Sequence, residues 1–195
     1  MMRSLFVLLS LVFSLAACSN QDSPKFMSTD VTGLSYARDF SLPDHHGKLR
    51  TLADFKGKAV VVFFGYTMCP DVCPATMAEM RAVMEKLGDD ADRVQVLFVT
   101  VDPERDTAEL LSHYVPAFDP RFLGLVGDQE ATAKVAQEFR VYYQKSKGST
   151  PDSYTVDHSA GTYVFDPQGR IRLFMRYGQE ADAIAHDLKI LLRGS

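Results

Sequence analysis

The sequence predicts an α/β fold whose core is a parallel β-sheet. Two short apolar segments rich in β-branched residues, 60–64 and 94–101, are typical of strands buried on both faces. Each is followed by a segment in which apolar residues recur at helical spacing, and strands that alternate with helices form parallel sheets. The chain has 195 residues and 46% hydrophobic residues, which suits one domain with a sizeable core behind a short N-terminal leader.

The first 18 residues predict a lipoprotein signal peptide. Arg3 is followed by the apolar run Leu5–Ala17, which is too short to cross a membrane and fits a secretory leader. The run ends at Cys18 in a Leu-Ala-Ala-Cys sequence that resembles a bacterial lipobox, in which the cysteine becomes the lipidated N-terminus. The alternative is an ordinary signal peptide with an incidental cysteine, but an unpaired thiol is a liability in an oxidising compartment. We therefore expect an extracytoplasmic, membrane-tethered protein, with 19–35 as a flexible polar tether.

The predicted domain, 36–195, begins with a β-hairpin. Its turn, Asp44 to Gly47, has the Asp-x-x-Gly pattern between extended segments. We expect His45 and His46 to be exposed in this turn, with a weak accessory metal site as the alternative.

Two cysteines separate the first core strand from a helix predicted for 74–87. Cys69 and Cys73 are four residues apart, and Pro74 suits the first position of the helix. The inner face of that helix is predicted to hold Met77, Met80, Met84 and Leu87. The thiols thus lie at the carboxyl end of a buried strand, where open α/β sheets place their chemistry. A helix N-terminus there is expected to lower a thiol pKa.

Two thiolates this close can form a reversible disulfide or hold a soft metal such as Cu(I) or Zn(II). Cys69 and Cys73 alone do not complete a metal site, so a third ligand is needed from elsewhere in the chain. The alternative is a structural disulfide or two unreactive core cysteines.

The second core strand ends at Asp102, directly before Pro103. Asp102 is predicted to lie at the same sheet edge as the cysteines, where it is either functional or a turn residue. Asp106 and Glu109 resemble a capping box that opens a helix over 107–118.

The remainder of the chain alternates in the same way. His158 follows a polar stretch, 146–157, that is long enough for a functional loop. We expect His113 to be structural and His186 to be exposed. The remaining predicted elements are a strand at 122–126, a helix at 129–145 with Ala133, Val135 or Ala136, Phe139 and Tyr142 inside, a hairpin of 162–165 and 171–176, and a helix at 180–192 with Ala181, Ile184, Leu188, Leu191 and Leu192 buried.

A cysteine pair after the first core strand makes this pattern thioredoxin-like, with an N-terminal hairpin extension and an inserted strand and helix. Three motifs also resemble the Sco/SenC family of copper-binding proteins. They are Phe64-Gly65-Tyr66-Thr67-Met68-Cys69-Pro70-Asp71-Val72-Cys73-Pro74, Val99-Thr100-Val101-Asp102-Pro103-Glu104-Arg105-Asp106-Thr107, and Tyr154-Thr155-Val156-Asp157-His158-Ser159 with the later Tyr163 and Asp166.

The resemblance implies a thioredoxin fold and copper held by Cys69, Cys73 and His158. It also implies delivery of copper to, or reduction of the cysteines of, the dinuclear copper site of cytochrome c oxidase. Expected partners are the oxidase subunit with that site and other periplasmic copper carriers or thiol reductants. Two thiolates and an imidazole suit three-coordinate Cu(I), and an added oxygen ligand would admit Cu(II). Asp71, Asp102 and Asp157 are candidate accessory or docking residues.

Two other functions compete with a copper chaperone. A metal-free thiol–disulfide oxidoreductase would use Cys69 and Cys73 and would not need His158. A peroxiredoxin-like peroxidase would need an arginine near its thiolate, which the sequence does not place.

Asp157 or the loop backbone is expected to orient the His158 ring for metal binding. A formal net charge of −4 gives no indication of nucleic-acid binding.

Overall fold

The computed structural model describes residues 25–148 and 153–194. Within these ranges the predicted α/β fold is confirmed. The strands are β1 (Thr29–Asp30), β2 (Leu42–Pro43), β3 (Leu49–Arg50), β4 (Ala59–Gly65), β5 (Val94–Thr100), β6 (Leu123–Leu125), β7 (Tyr143–Lys147), β8 (Tyr154–His158), β9 (Thr162–Phe165) and β10 (Ile171–Met175). The α-helices are α1 (Val72–Leu87), α2 (Ala108–Tyr114), α3 (Gln129–Glu138) and α4 (Ala181–Leu192), and Leu52–Phe55 and Gly88–Arg93 form 3₁₀ turns. In these residues no helix is long and apolar enough to cross a membrane.

A mixed sheet with the order β1-β10-β9-β4-β5-β6 forms the centre of the described domain. The strands β4, β5 and β6 are parallel, and β9, β10 and β1 add to β4 in antiparallel fashion. All residues of β4 and β5 are buried, as their continuous apolar sequences predict. The helices α1 and α4 pack against each other, and the predicted inner faces of both are buried.

The N-terminal hairpin β2–β3 forms around the predicted turn, but His45 is buried rather than exposed. Its Nδ1 accepts a hydrogen bond from the backbone N–H of Gly124 at 3.0 Å, and its own N–H donates to the Gly124 carbonyl at 2.8 Å. These bonds tie the hairpin to β6, a strand about 80 residues later, so a local turn pattern could not reveal them.

Part of the predicted tether belongs to the sheet. Thr29 and Asp30 pair with β10, and the buried carboxylate of Asp187 in α4 accepts hydrogen bonds from the backbone N–H groups of Met27 and Ser28. The predicted signal peptide, Cys18 and the first part of the predicted tether lie outside the described residues.

The helix predicted for 129–145 ends at Glu138. Arg140 adopts φ +52°, a left-handed conformation that a helix interior does not allow, and the chain then enters β7. Val135, Ala136 and Phe139 are buried as predicted, but Tyr142 is 60% exposed and Ala133 is exposed, because both lie beyond or off the true helix face. Most of the described residues of the predicted polar loop belong to a separate two-stranded hairpin of β7 and β8, and His158 is the last residue of β8.

Candidate metal centre

The end of β4 and the start of α1 place the two cysteines. Gly65 ends β4 where only a glycine fits, because a Cβ atom there would lie 2.9 Å from Cys73 Sγ and from the Phe63 ring. A turn follows in which the Cys69 N–H donates to the Tyr66 carbonyl at 3.2 Å. Cys73 lies in the first turn of α1 and is buried, whereas Cys69 is half-buried. Neither cysteine forms a disulfide in this structure.

His158 completes the group from 85 residues further along the chain. Its Nε2 lies 3.5 Å from Cys73 Sγ, and the ligand atoms of Cys69, Cys73 and His158 all lie within 4.8 Å of one another. Its Nδ1 is 3.0 Å from the carbonyl oxygen of Ser159. A carbonyl only accepts hydrogen bonds, so Nδ1 carries the proton and the Nε2 lone pair of the neutral ring faces the thiols.

The backbone, rather than Asp157, therefore orients the histidine ring. Asp157 is exposed, and its carboxylate accepts a hydrogen bond from Ser146 Oγ at 2.6 Å within the hairpin. Asp71 is also exposed and occupies the N-cap position of α1 without capping the helix through its side chain.

Asp102 does come to the same sheet edge as the cysteines, but it is buried. Its carboxylate accepts hydrogen bonds from Tyr154 Oη at 2.8 Å and from Arg105 Nε. Asp102 thus has no free carboxylate for a docking partner in this conformation.

Burial raises the pKa of Cys73, which is the reverse of the expectation from the helix N-terminus. The nearby Asp106 carboxylate acts in the same direction, because a second negative charge disfavours a thiolate. Burial also lowers the pKa of His158 from its ordinary value of 6.5, since a low-dielectric site disfavours the imidazolium. Without metal, a protonated Cys73 thiol thus faces a neutral imidazole near pH 7.

Asp106 has a structural role that the sequence motif did not predict. Thr107, not Asp106, caps α2, by accepting a hydrogen bond from the Leu110 N–H. Asp106 is instead fully buried and accepts hydrogen bonds from Thr100 Oγ1 and from the hydroxyl and backbone N–H of Thr67. It joins the ends of β4 and β5 directly beside the cysteine turn.

The chain is similar to several known proteins over most of its described length. The SCO1/SenC family model matches residues 29–193. The protein SCO2 homolog of Bos taurus mitochondria is 40% identical over 153 residues, which cover 77% of this chain and 58% of the bovine protein. The chain therefore spans somewhat more than half the length of that relative.

Two solved structures extend the likeness to the fold. The Bradyrhizobium japonicum ScoI structure with copper bound is 42% identical, with a TM-score of 0.72, and the alignment covers 78% of this chain and 97% of that one. A SCO1/SenC family lipoprotein from Bacillus anthracis is 26% identical, with a TM-score of 0.67 and coverage of 78% and 92%. These likenesses confirm the thioredoxin-like fold, and with the family match they show that the chain belongs to the SCO1/SenC family.

Proposed function

We propose that this protein carries copper, held by Cys69, Cys73 and His158. The observation that carries the proposal is the convergence of two sulfur atoms and one imidazole nitrogen within 4.8 Å. Soft sulfur ligands select Cu(I), and the unprotonated Nε2 supplies a nitrogen donor that a dithiol alone lacks. The copper-bound ScoI structure of a relative 42% identical to this chain supports copper as the metal.

The arrangement suits a cargo that must be loaded and released. Cys69 is half-buried, so an incoming metal or a partner thiol can reach it first. Binding at Cys73 displaces the thiol proton, because only the thiolate is a metal ligand, and burial makes that proton hard to remove without metal. In exchange with a partner dithiol, the partner's sulfur atoms would take the metal and lose their protons, the released cysteines would take up protons, and the dithiol would stay reduced.

We propose cytochrome c oxidase as the recipient, with copper passing to the subunit that carries the dinuclear copper site. The same dithiol could reduce the cysteines of that site, and other periplasmic copper carriers or thiol reductants would load or regenerate it. Work at the extracytoplasmic face of a membrane follows from the predicted lipid at Cys18. The Bacillus anthracis lipoprotein of the same family supports such an anchor.

A metal-free thiol–disulfide oxidoreductase is the second candidate, because two unbridged thiols lie close together. A metal-free oxidoreductase would not use the His158 ring, whose unprotonated nitrogen faces the thiols. A peroxidase would use Cys69, in the Thr67-Met68-Cys69 turn, as its nucleophile. It is the weaker candidate, because it gives no role to the Cys73 and His158 side chains that lie beside Cys69.

The test is copper binding by the reduced full chain in detergent, in competition with bicinchoninate, a Cu(I) chelator. We expect one Cu(I) per chain in the wild type and loss of tight binding in Cys69→Ser and Cys73→Ser. We then measure the transfer of copper from this chain to a copper-free oxidase fragment that contains the two cysteines of the dinuclear copper site. Wild-type chain that oxidises and reduces reversibly but retains no copper would favour the oxidoreductase.

A further inference from the structure

The hairpin that carries His158 is not part of the central sheet. β7 and β8 pair only with each other in the described residues, whereas the cysteines lie on β4 and α1 of the main body. The backbone holds the end of the hairpin, because Thr162, four residues after His158, pairs with Phe63 of β4. Side-chain contacts with the main body hold the rest of the hairpin, through Tyr154 and Val156 of β8 and through Lys145 of β7, which donates to Glu104.

Arg105, in the loop after β5, holds Tyr154 in three ways. Its Nη1 donates to the Tyr154 carbonyl at 2.9 Å, and its guanidinium carbon lies 3.6 Å from the centre of the Tyr154 ring. Its Nε donates to Asp102, whose other carboxylate oxygen accepts from the Tyr154 hydroxyl at 2.8 Å. The three residues thus form a closed ring of contacts.

Asp102 fixes this ring of contacts to the main body. It is buried, and its backbone N–H donates to Thr100 Oγ1 at 3.0 Å, beside the Asp106 network at the end of β5. A second link runs through Tyr66, whose hydroxyl accepts from the Val156 N–H at 3.2 Å and whose ring meets the His158 ring edge-on at 5.8 Å. The Arg105 guanidinium also lies 5.6 Å from the centre of the Tyr66 ring.

This arrangement is a poor device for stability alone. Arg105 Nη2 is buried without a hydrogen-bond partner among the described residues. An ion pair between the buried Asp102 and the partly exposed Arg105 often contributes less to stability than apolar packing of the same volume. Arg105 does fix the orientation of Tyr154. A planar guanidinium that stacks on a ring and donates a hydrogen bond at the same time defines both the distance and the angle of its partner. That partner begins the five-residue strand that ends at His158, about 13 Å away.

We propose that Asp102, Arg105 and Tyr154 form a clasp that positions His158 against the two thiols and that governs how readily the histidine leaves the metal. They are positioning residues, and the inference rests on the proposed copper-carrying function. With the clasp closed, β8 is held and Nε2 stays at the thiols. With it open, the hairpin and its imidazole can move away and leave the two sulfur ligands to a recipient.

The test compares Arg105→Gln and Tyr154→Phe with the wild type, using the reduced full chain in detergent. Tyr154→Phe removes only the hydroxyl bond to Asp102, so it serves if Arg105→Gln does not fold. Two readouts report on His158: the nitrogen hyperfine signal of bound Cu(II), and the rate at which bicinchoninate removes Cu(I). We expect a weakened nitrogen signal and removal faster by about tenfold for Arg105→Gln, the value of one hydrogen bond to a charged group. Arg121→Gln, which breaks a comparable pair with Asp119 on another loop, should match the wild type.

A double-mutant cycle with His158→Ala decides whether the clasp acts through the histidine. We expect Arg105→Gln to have no further effect on copper removal once His158 is absent. Equal acceleration in both backgrounds, or no acceleration in either, would overturn the clasp. A wild type that binds no copper would instead refute the proposed function.

Discussion

The hydroxyl of Thr67 donates a hydrogen bond to the buried carboxylate of Asp106 at 2.6 Å, and this bond connects the cysteine turn to the neighbouring strand. Asp106 also accepts from the Thr67 N–H and from Thr100 Oγ1. Burial raises the pKa of Asp106, and these donors oppose that rise, so the carboxylate depends on them for its charge.

Asp106→Ala should lower the free energy of unfolding by roughly 2–4 kcal/mol, because it leaves several buried donors without an acceptor.

Asp106→Asn keeps an acceptor and removes the charge that disfavours a Cys73 thiolate. We therefore expect its Cys73 to react faster with iodoacetamide near pH 8, with denaturant unfolding measured in parallel. Asp71→Asn, an exposed change near the same turn, is the control. An unchanged alkylation rate in Asp106→Asn would mean that the Asp106 charge does not contribute to the raised Cys73 pKa.

Because His45 is buried, we expect the stability of the metal-free domain to fall in acid. Burial lowers the pKa of His45 from its ordinary value of 6.5, and the adjacent His46 acts in the same direction. The unfolded chain therefore takes up a proton there at higher pH than the folded one, so this contribution to stability is present above about pH 6.5 and is lost as the pH falls toward the folded pKa. Protonated Nδ1 also can no longer accept from the Gly124 N–H.

Urea unfolding at pH 7.5, 6.5 and 5.5 measures this effect. His45→Gln should be less stable than the wild type at pH 7.5, by about 1–3 kcal/mol if the Gly124 N–H loses its acceptor, and should show a flatter dependence on pH. His113→Gln, at an exposed position of α2, should keep the wild-type slope. A wild-type slope in His45→Gln would assign the acid sensitivity to another group.

Oxidation should compete with copper binding. A disulfide between Cys69 and Cys73 consumes both thiolates, and a thiolate is the form of cysteine that binds metal. The oxidised chain should therefore hold Cu(I) far more weakly than the reduced chain in the same competition with bicinchoninate. Equal affinity of the two forms would show that the cysteines are not the ligands.

The N-terminus of the mature protein should be a lipidated Cys18. The Leu-Ala-Ala-Cys end of the short apolar leader predicts this cleavage. Mass spectrometry of the protein from native membranes should find acyl mass on a peptide that begins at Cys18, and Cys18→Ala should abolish it. A free terminus at another residue would contradict the lipoprotein prediction.

Short-range patterns predicted the parts of the site that lie within one strand–turn–helix unit. The continuous apolar run that ends at Gly65 placed Cys69 and Cys73 between β4 and α1. The predicted start of the helix at Pro74 was wrong, because α1 begins at Val72 and Cys73 lies within its first turn. Long-range hydrogen bonds decided the rest. The burial of His45 depends on its hydrogen bonds with the Gly124 backbone. The Asp106 carboxylate accepts a hydrogen bond from Thr67 instead of capping a helix.

The hairpin that carries His158 shows the same limit in a different form. Helical spacing continues through 129–145, and only the left-handed Arg140 and the pairing of β7 with β8 override it. That pairing spans residues far enough apart that periodicity cannot detect it. The family motifs implied that His158 lies at the site but gave no structural reason for its position. The structure shows that contacts of Tyr66, Arg105 and Tyr154 hold the strand that carries it.

Replacement of His158 with Ala separates the copper carrier from the metal-free oxidoreductase. The mutant should fold, because His158 is half-buried at the end of a hairpin and carries little core packing. It should keep some Cu(I), since two soft thiolates satisfy that ion at low coordination, but lose most Cu(II), which prefers nitrogen ligands and a larger coordination number. The Cys69–Cys73 disulfide should still form, because thiol exchange does not use the ring. Cu(I) and Cu(II) titrations and thiol oxidation are compared with the wild type. Unchanged Cu(II) binding would exclude His158 as a ligand and favour the oxidoreductase.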